Sequence, residues 1–170
     1  MRRTTMVRTL GITLGMMAVL GAVAAVAAAP PQQPRNFVAP LSGHEEVPMV
    51  DTQARGAAIF QLSPDGTELS YRLIASNIEN ILQAHIHARG AAGVNAPVVV
   101  FLYPEGPPAQ LIPGRHNGTL ATGTITSSDL IGPLAGGTLA DLLDAIADGE
   151  AYVNVHTTQN PGGEIRGQLP

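Results

Sequence analysis

The chain has 170 residues, no cysteine, no lysine and a formal net charge of −4. Without thiols there are no disulfides, no thiolate metal sites and no cysteine nucleophile. An acidic, lysine-free composition argues against nucleic acid or anionic lipid as a partner.

Residues 1–28 read as a secretory signal. Arg2, Arg3 and Arg8 make a basic start, an uncharged apolar stretch begins at Leu10, and Ala24-Ala25-Val26-Ala27-Ala28-Ala29 supplies the small residues that signal peptidase reads, with cleavage after Ala27 or Ala28. The apolar stretch falls short of the ~20 residues of a spanning helix, so no stable membrane insertion is expected after cleavage. The expected location is secreted or periplasmic. Removing three of the nine arginines leaves six basic residues against thirteen acidic ones, a formal charge of −7. The remainder, about 140 residues, is one domain with room for a core. Residues 29–36, with Pro30, Pro31 and Pro34, form an extended linker.

From Phe37 onward, short β-rich runs alternate with Gly, Pro, Asn and Asp. Strands are expected at Phe37–Leu41, Ala54–Leu62, Glu68–Ser76, Leu82–His87, Pro97–Tyr103, Gly118–Thr126, Ala151–Thr157 and Glu164–Leu169. Ser63-Pro64-Asp65-Gly66 is a hairpin turn, and Val98–Leu102, apolar on both faces, reads as a central strand. Between the sixth and seventh strands the period changes. Leu139, Leu142, Leu143 and Ile146 recur at i, i+3, i+4 and i+7, which predicts a helix over Thr138–Ala147 with that face inward. Thr138 with Asp141 resembles a capping box, and Gly149 suits the position after the C-cap. The expected class is all-β, an antiparallel sandwich or Greek-key barrel with one short inserted helix.

Three of the five histidines fall in predicted strands. His85 and His87 are two apart and therefore share a face. Their face carries Gln83 and Arg89, whereas Leu82, Ala84, Ile86 and Ala88 face the other way. His156 likewise lies with Tyr152, Asn154 and Thr158, opposite Val153 and Val155. Both sets are thus expected on an outward polar face. Were the strands neighbours, His85, His87 and His156 would present three neutral nitrogens, a set that suits copper or zinc and leaves an open coordination position. His44 is a candidate fourth ligand if its loop folds over the sheet. Asn154 or a backbone carbonyl could fix a ring tautomer, and Glu46, Glu164 and Arg166 are candidates for an ion pair or for supporting contacts. His116, in a Pro/Gly-rich stretch, reads as an exposed loop residue. The alternative use of the same imidazoles is a hydrogen-bonded network without metal. No nucleophile elbow or phosphate loop is present.

Five blocks occur in order: Leu41-Ser42-Gly43 with Glu46-Val47-Pro48; Ala84-His85-Ile86-His87; Gly93-Val94-Asn95 with Pro97-Val98-Val99-Val100; Tyr152-Val153-Asn154-Val155-His156-Thr157; and Asn160-Pro161-Gly162-Gly163-Glu164-Ile165-Arg166-Gly167-Gln168. Together they resemble the CHRD domain, named from chordin and found as a single exported domain in bacteria, over residues 37–170. Ala96 departs from the family's more usual Gly. The resemblance implies an immunoglobulin-like β-barrel and leaves the biochemical role open. A looser likeness to Cu/Zn superoxide dismutase rests on the HxH strand, but no second histidine-rich loop follows His87.

Three functions remain for testing. The first is a non-enzymatic module binding copper or zinc through His85, His87 and His156. The second is a metal-independent adhesion or protein-interaction module with an unidentified protein partner. The third is a metalloenzyme, of dismutase type or another, working at the open position.

Overall fold

The computed structural model describes residues 35–170. The expected signal and all of the linker up to Pro34 lie outside the described residues, while Asn36 already belongs to the first strand. Seven strands and one α-helix follow: β1 (Asn36–Ser42), β2 (Arg55–Leu62), β3 (Leu69–His87), β4 (Val98–Tyr103), β5 (Ile112–Ile125), α1 (Leu139–Ala147), β6 (Tyr152–Thr157) and β7 (Ile165–Gln168).

All pairings are antiparallel, in the order β2-β1-β7-β6-β3, and β2 also pairs with β3. The sheet therefore closes on itself as a barrel. Closure depends on the 19 residues of β3. Residues 69–76 pair with β2 and residues 69–81 with β5, while residues 81–87 pair with β6 and residues 84–87 with β4. Two strands expected from sequence are thus one. The intervening Asn77 and Asn80 adopt φ of 53° and 54°, a left-handed conformation that asparagine tolerates better than most residues. The register shifts there, so the strand bends without ending.

Alternation along the strands sends Leu41, Phe60, Leu69, Leu73, Ile86 and Ile165 into the barrel, all at most 1 % exposed. Helix α1 matches its predicted span. The Thr138 hydroxyl and backbone N–H both donate to Asp141 Oδ2, at 2.9 and 2.7 Å. Leu139, Leu142, Leu143 and Ile146 are buried. Strand β4 is not central: its strand partner is β3, and on its other side the Ile131 N–H donates to Val99 O at 2.9 Å. That cover explains why both of its faces are apolar.

Candidate metal centre

Ile86 points into the barrel, so His85 and His87 point out of it. β6 lies alongside with Asn154 opposite His85, Tyr152 opposite His87 and His156 opposite Gln83. His156 is therefore diagonal to His85, and their ring centroids are 4.9 Å apart. The three imidazoles form a group that could hold a metal ion, with one nitrogen from each lying within 4.8 Å of the others.

The histidine face is outside the barrel, as expected, and it is also buried: His85, His87 and His156 are 3 %, 8 % and 6 % accessible. Three loops, over residues 43–50, 90–97 and 158–163, roof the face. The Asn95 side-chain amide donates to Val47 O at 2.8 Å and joins the first loop to the second. Arg166, on β7, donates to Val94 O at 3.0 Å and to Asn95 Oδ1 at 3.3 Å. Its guanidinium lies 3.4 Å from the Tyr152 ring centroid, and Tyr152 stacks on His87 at 4.7 Å with the planes 2° apart.

The roof also sets the tautomers. His87 Nδ1 lies 2.7 Å from Ala96 O, and His156 Nδ1 lies 2.9 Å from Pro161 O. A carbonyl only accepts, so each Nδ1 carries the hydrogen and each Nε2 presents a lone pair. His85 Nδ1 is 3.2 Å from His156 Nε2 and can donate to it, which leaves His85 Nε2 buried without a partner. His87 Nε2 is 3.0 Å from Asn154 Oδ1, so two acceptors face each other there. The amide can turn its Nδ2–H toward the ring, so that His87 Nε2 accepts.

Burial, the largest cause, holds all three imidazoles below the ordinary histidine range. His85 is pushed down to about 3, with the neighbouring His156 and His87 adding to the effect. Near neutral pH the group is uncharged and ready to ligate. Two nitrogens bound tetrahedrally at ~2.0–2.1 Å stand about 3.3 Å apart, close to the 3.2 Å between His85 Nδ1 and His156 Nε2, an approach that serves a shared ion only when the Nδ1 hydrogen has moved to His85 Nε2. Nitrogens as far apart as 4.8 Å would need to draw in by about 1.5 Å to share one ion. By ring centroids His87 and His156 are the farthest apart, at 6.3 Å, and each is tethered to a backbone carbonyl, whereas His85 is not. A ligand set of nitrogens alone fits copper or zinc and not calcium or magnesium.

The other expected residues fall elsewhere. His44 sits exposed in the short 3-10 helix Gly43–Glu45 and outside the three-histidine group. His116 is in β5 opposite Ile78 and half-buried, not in a loop, because β5 begins at Ile112 despite the prolines and glycines around it. Glu164 accepts from the hydroxyls of Thr52 at 2.8 Å and Thr157 at 2.7 Å. Glu46 is 6 % exposed with Oε1 unpartnered. Burial pushes its carboxyl up to about 7, against the opposing pull of Arg166. It occupies the space where a Cβ on Gly163 would stand, and Gly163 has φ of +128°, so only glycine fits. The sequence assigns no site role to Ala96, Pro161 or Phe101. The first two act through backbone carbonyls, which carry no side-chain signature.

The fold and site together define a closed antiparallel β-barrel carrying a roofed, uncharged three-histidine cluster on the outside of its wall. The family model of the CHRD domain matches residues 37–169. The chain belongs to the CHRD family. Neither a curated protein nor a solved structure matches it.

Proposed function

We propose that the protein is an exported, non-enzymatic module that binds a transition-metal ion through His85, His87 and His156, copper before zinc. One observation carries this reading. The Nδ1–H groups of His87 and His156 are held by backbone carbonyls, which is the outer-shell arrangement of ligating histidines, while His85 Nε2 is buried with no partner. The order of metals follows from the higher affinity of nitrogen sites for Cu²⁺ than for Zn²⁺. Asn154 lies beside His87 Nε2 at 3.0 Å, and Glu46 is a buried carboxyl under the same roof. Export follows from the signal-like residues 1–28. No helix among the described residues is long and apolar enough to cross a membrane.

The second reading, a metal-independent interaction module, draws on the His85–His156 contact, which satisfies two ring nitrogens without any ion. Metal analysis of the purified protein, followed by Cu²⁺ and Zn²⁺ titration of wild type and of His85→Ala, His87→Ala and His156→Ala, separates the two. About one equivalent retained by wild type and lost in each variant supports the metal module. Wild-type binding no better than the variants defeats it.

A further inference from the structure

Each strand of the ring is paired on both edges, whereas β4 and β5 hang on β3 and keep one free edge each among the described residues. The two free edges are finished differently. A loop covers β4, where the Ile131 N–H donates to Val99 O at 2.9 Å. The start of β5 is irregular: Pro113 brings no donor, Gly114 and Gly118 have φ of +79° and +135°, and the register with β3 shifts three times before Ala121. Proline and bulges of this kind keep a further strand off an edge. From Ala121 to Ile125 the protection stops. These five residues pair in unbroken register with Leu69–Leu73 and contain no proline and no charge. No main-chain bond from a described residue reaches their other edge, and Gly123, Thr124 and Ile125 border open space in a cleft of about 510 Å³. In an antiparallel pair alternate residues turn both main-chain groups away from their partner, so this edge presents N–H and C=O groups to another strand.

The segment is complementary to itself. Set antiparallel about Gly123, two copies place Thr122 opposite Thr124 on the outer face, twice, and Ala121 opposite Ile125 on the inner face, twice. Thr–Thr pairs are favourable cross-strand neighbours, and an uncharged seam opposes no like charges. Gly123 falls on the axis and has no side chain to clash there. Tyr71 restricts that position to glycine, since its ring lies 2.7 Å from where a Cβ would stand. Charge adds to the fit at the ends. Arg72 donates to Thr119 Oγ1 at 3.1 and 2.9 Å and has no carboxylate partner among the described residues, while Asp129 lies exposed just past Ile125. The same antiparallel arrangement carries the arginine of each copy toward the aspartate of the other.

We infer that Ala121–Ile125 is a docking edge for a second copy of this chain, joined antiparallel about Gly123 so that the run of β1, β2, β3 and β5 continues into its counterpart. The inference is independent of the metal reading. A five-residue seam buries less than the ~1,200 Å² of a standard stable interface, so the dimer is weak and reversible.

Sedimentation equilibrium of the purified protein, up to roughly 1 mM, should show a monomer–dimer equilibrium. Two double variants at exposed positions test the pairing. T122K/T124K sets like charges opposite each other at both outer pairs and should weaken the dimer about tenfold. T122K/T124E sets lysine opposite glutamate at the same places and should keep Kd within about threefold of wild type. V38K puts a charge on the same outer face, in the row of Ile59, Arg72 and Thr122 but away from the edge, and should leave the equilibrium unchanged. Hydrogen exchange in wild type needs no variant: it should slow at Ala121–Ile125 as concentration rises and stay constant at Val98–Tyr103. Wild type that remains monomeric, or a dimer weakened equally by T122K/T124K and T122K/T124E, would overturn the pairing about Gly123. Dissociation by V38K with both threonine variants unaffected would move the contact to the sheet face and overturn the edge.

Discussion

Along β6, Val153 and Val155 face the barrel interior while Tyr152, Asn154 and His156 face away from it, and all five are buried. The two sides reach the same burial by opposite chemistry. Inside, Val153, Val155, Ile86 and Ile165 need only fill volume, and each methylene removed from water adds roughly 0.8 kcal/mol. Outside, every polar atom under the roof must be partnered, because a buried unsatisfied donor or acceptor costs about 1–3 kcal/mol. The outer side meets that demand almost everywhere: Ala96 O and Pro161 O take ring N–H groups, and Arg166 uses its donors on Val94 and Asn95. The exceptions among the described residues are His85 Nε2 and Glu46 Oε1. The polar layer is thus finished except at a histidine and a carboxyl.

Breaking the inner side should have the largest effect on stability. Ile86→Ala, at a position with no exposure, should cost about 2–5 kcal/mol, and so should Leu142→Ala on the buried face of α1. Denaturant melts check both, and a midpoint unchanged in either variant would remove that side chain from the core. Arg166→Lys tests the outer side. Lysine keeps the charge but loses the planar fork and the stacking on Tyr152, so we expect a loss of about 1–3 kcal/mol. Hydrogen exchange should quicken in residues 90–97, which Arg166 ties down. A lysine variant with wild-type exchange there would show that the loop holds itself.

Much of this was legible in the sequence, and the failures have physical causes. Alternation placed His85 with His87 and put His156 on the matching side of its strand, because side-chain direction in a strand is local. The capping box and the i, i+3, i+4 spacing fixed α1 for the same reason. Alternation says which residues share a face, but not whether that face is covered. The roof comes from residues 43–50, 90–97 and 158–163, distant in sequence and joined by contacts such as Asn95 with Val47. Alternation therefore places the polar face outside and leaves its cover unread. The break expected near Asn77 and Asn80 fails because asparagine accepts positive φ, and β3 continues through it.

A pH series sharpens the contrast between Glu46 and the histidines. The Glu46 carboxyl rises from 4.5 to about 7 in the fold. Between those values the folded protein holds a proton that the unfolded chain has released, so this contribution is complete below 4.5 and is lost as pH climbs through 7. His85 falls from 6.5 to about 3. Its contribution is complete above 6.5 and is lost as pH drops toward 3, and His87 and His156 shift in the same direction. In metal-free protein the two slopes oppose each other between 4.5 and 6.5. Glu46→Gln removes one of them, so its stability should rise more steeply with pH over that window than wild type's. Urea midpoints at several pH values give the slopes, and equal slopes would place the Glu46 proton elsewhere.

The smallest expected change in stability belongs to a residue of the proposed metal site. His85 makes one ring hydrogen bond, to His156 Nε2, and keeps its other nitrogen buried and unpartnered. Leucine at this position fills similar space beside Phe101 and brings no polar atom into the layer. It removes one orphaned acceptor and leaves another, the Nε2 of His156, so the two costs nearly cancel. His85→Leu should therefore melt within about 1 kcal/mol of wild type in metal-free buffer. With Cu²⁺ or Zn²⁺ in excess, wild type should gain stability by mass action and the variant should not. That gain, measured as a shift in Tm on adding metal, separates an unfinished polar layer from a finished one. An equal shift in both proteins would mean that the ion binds somewhere other than at His85.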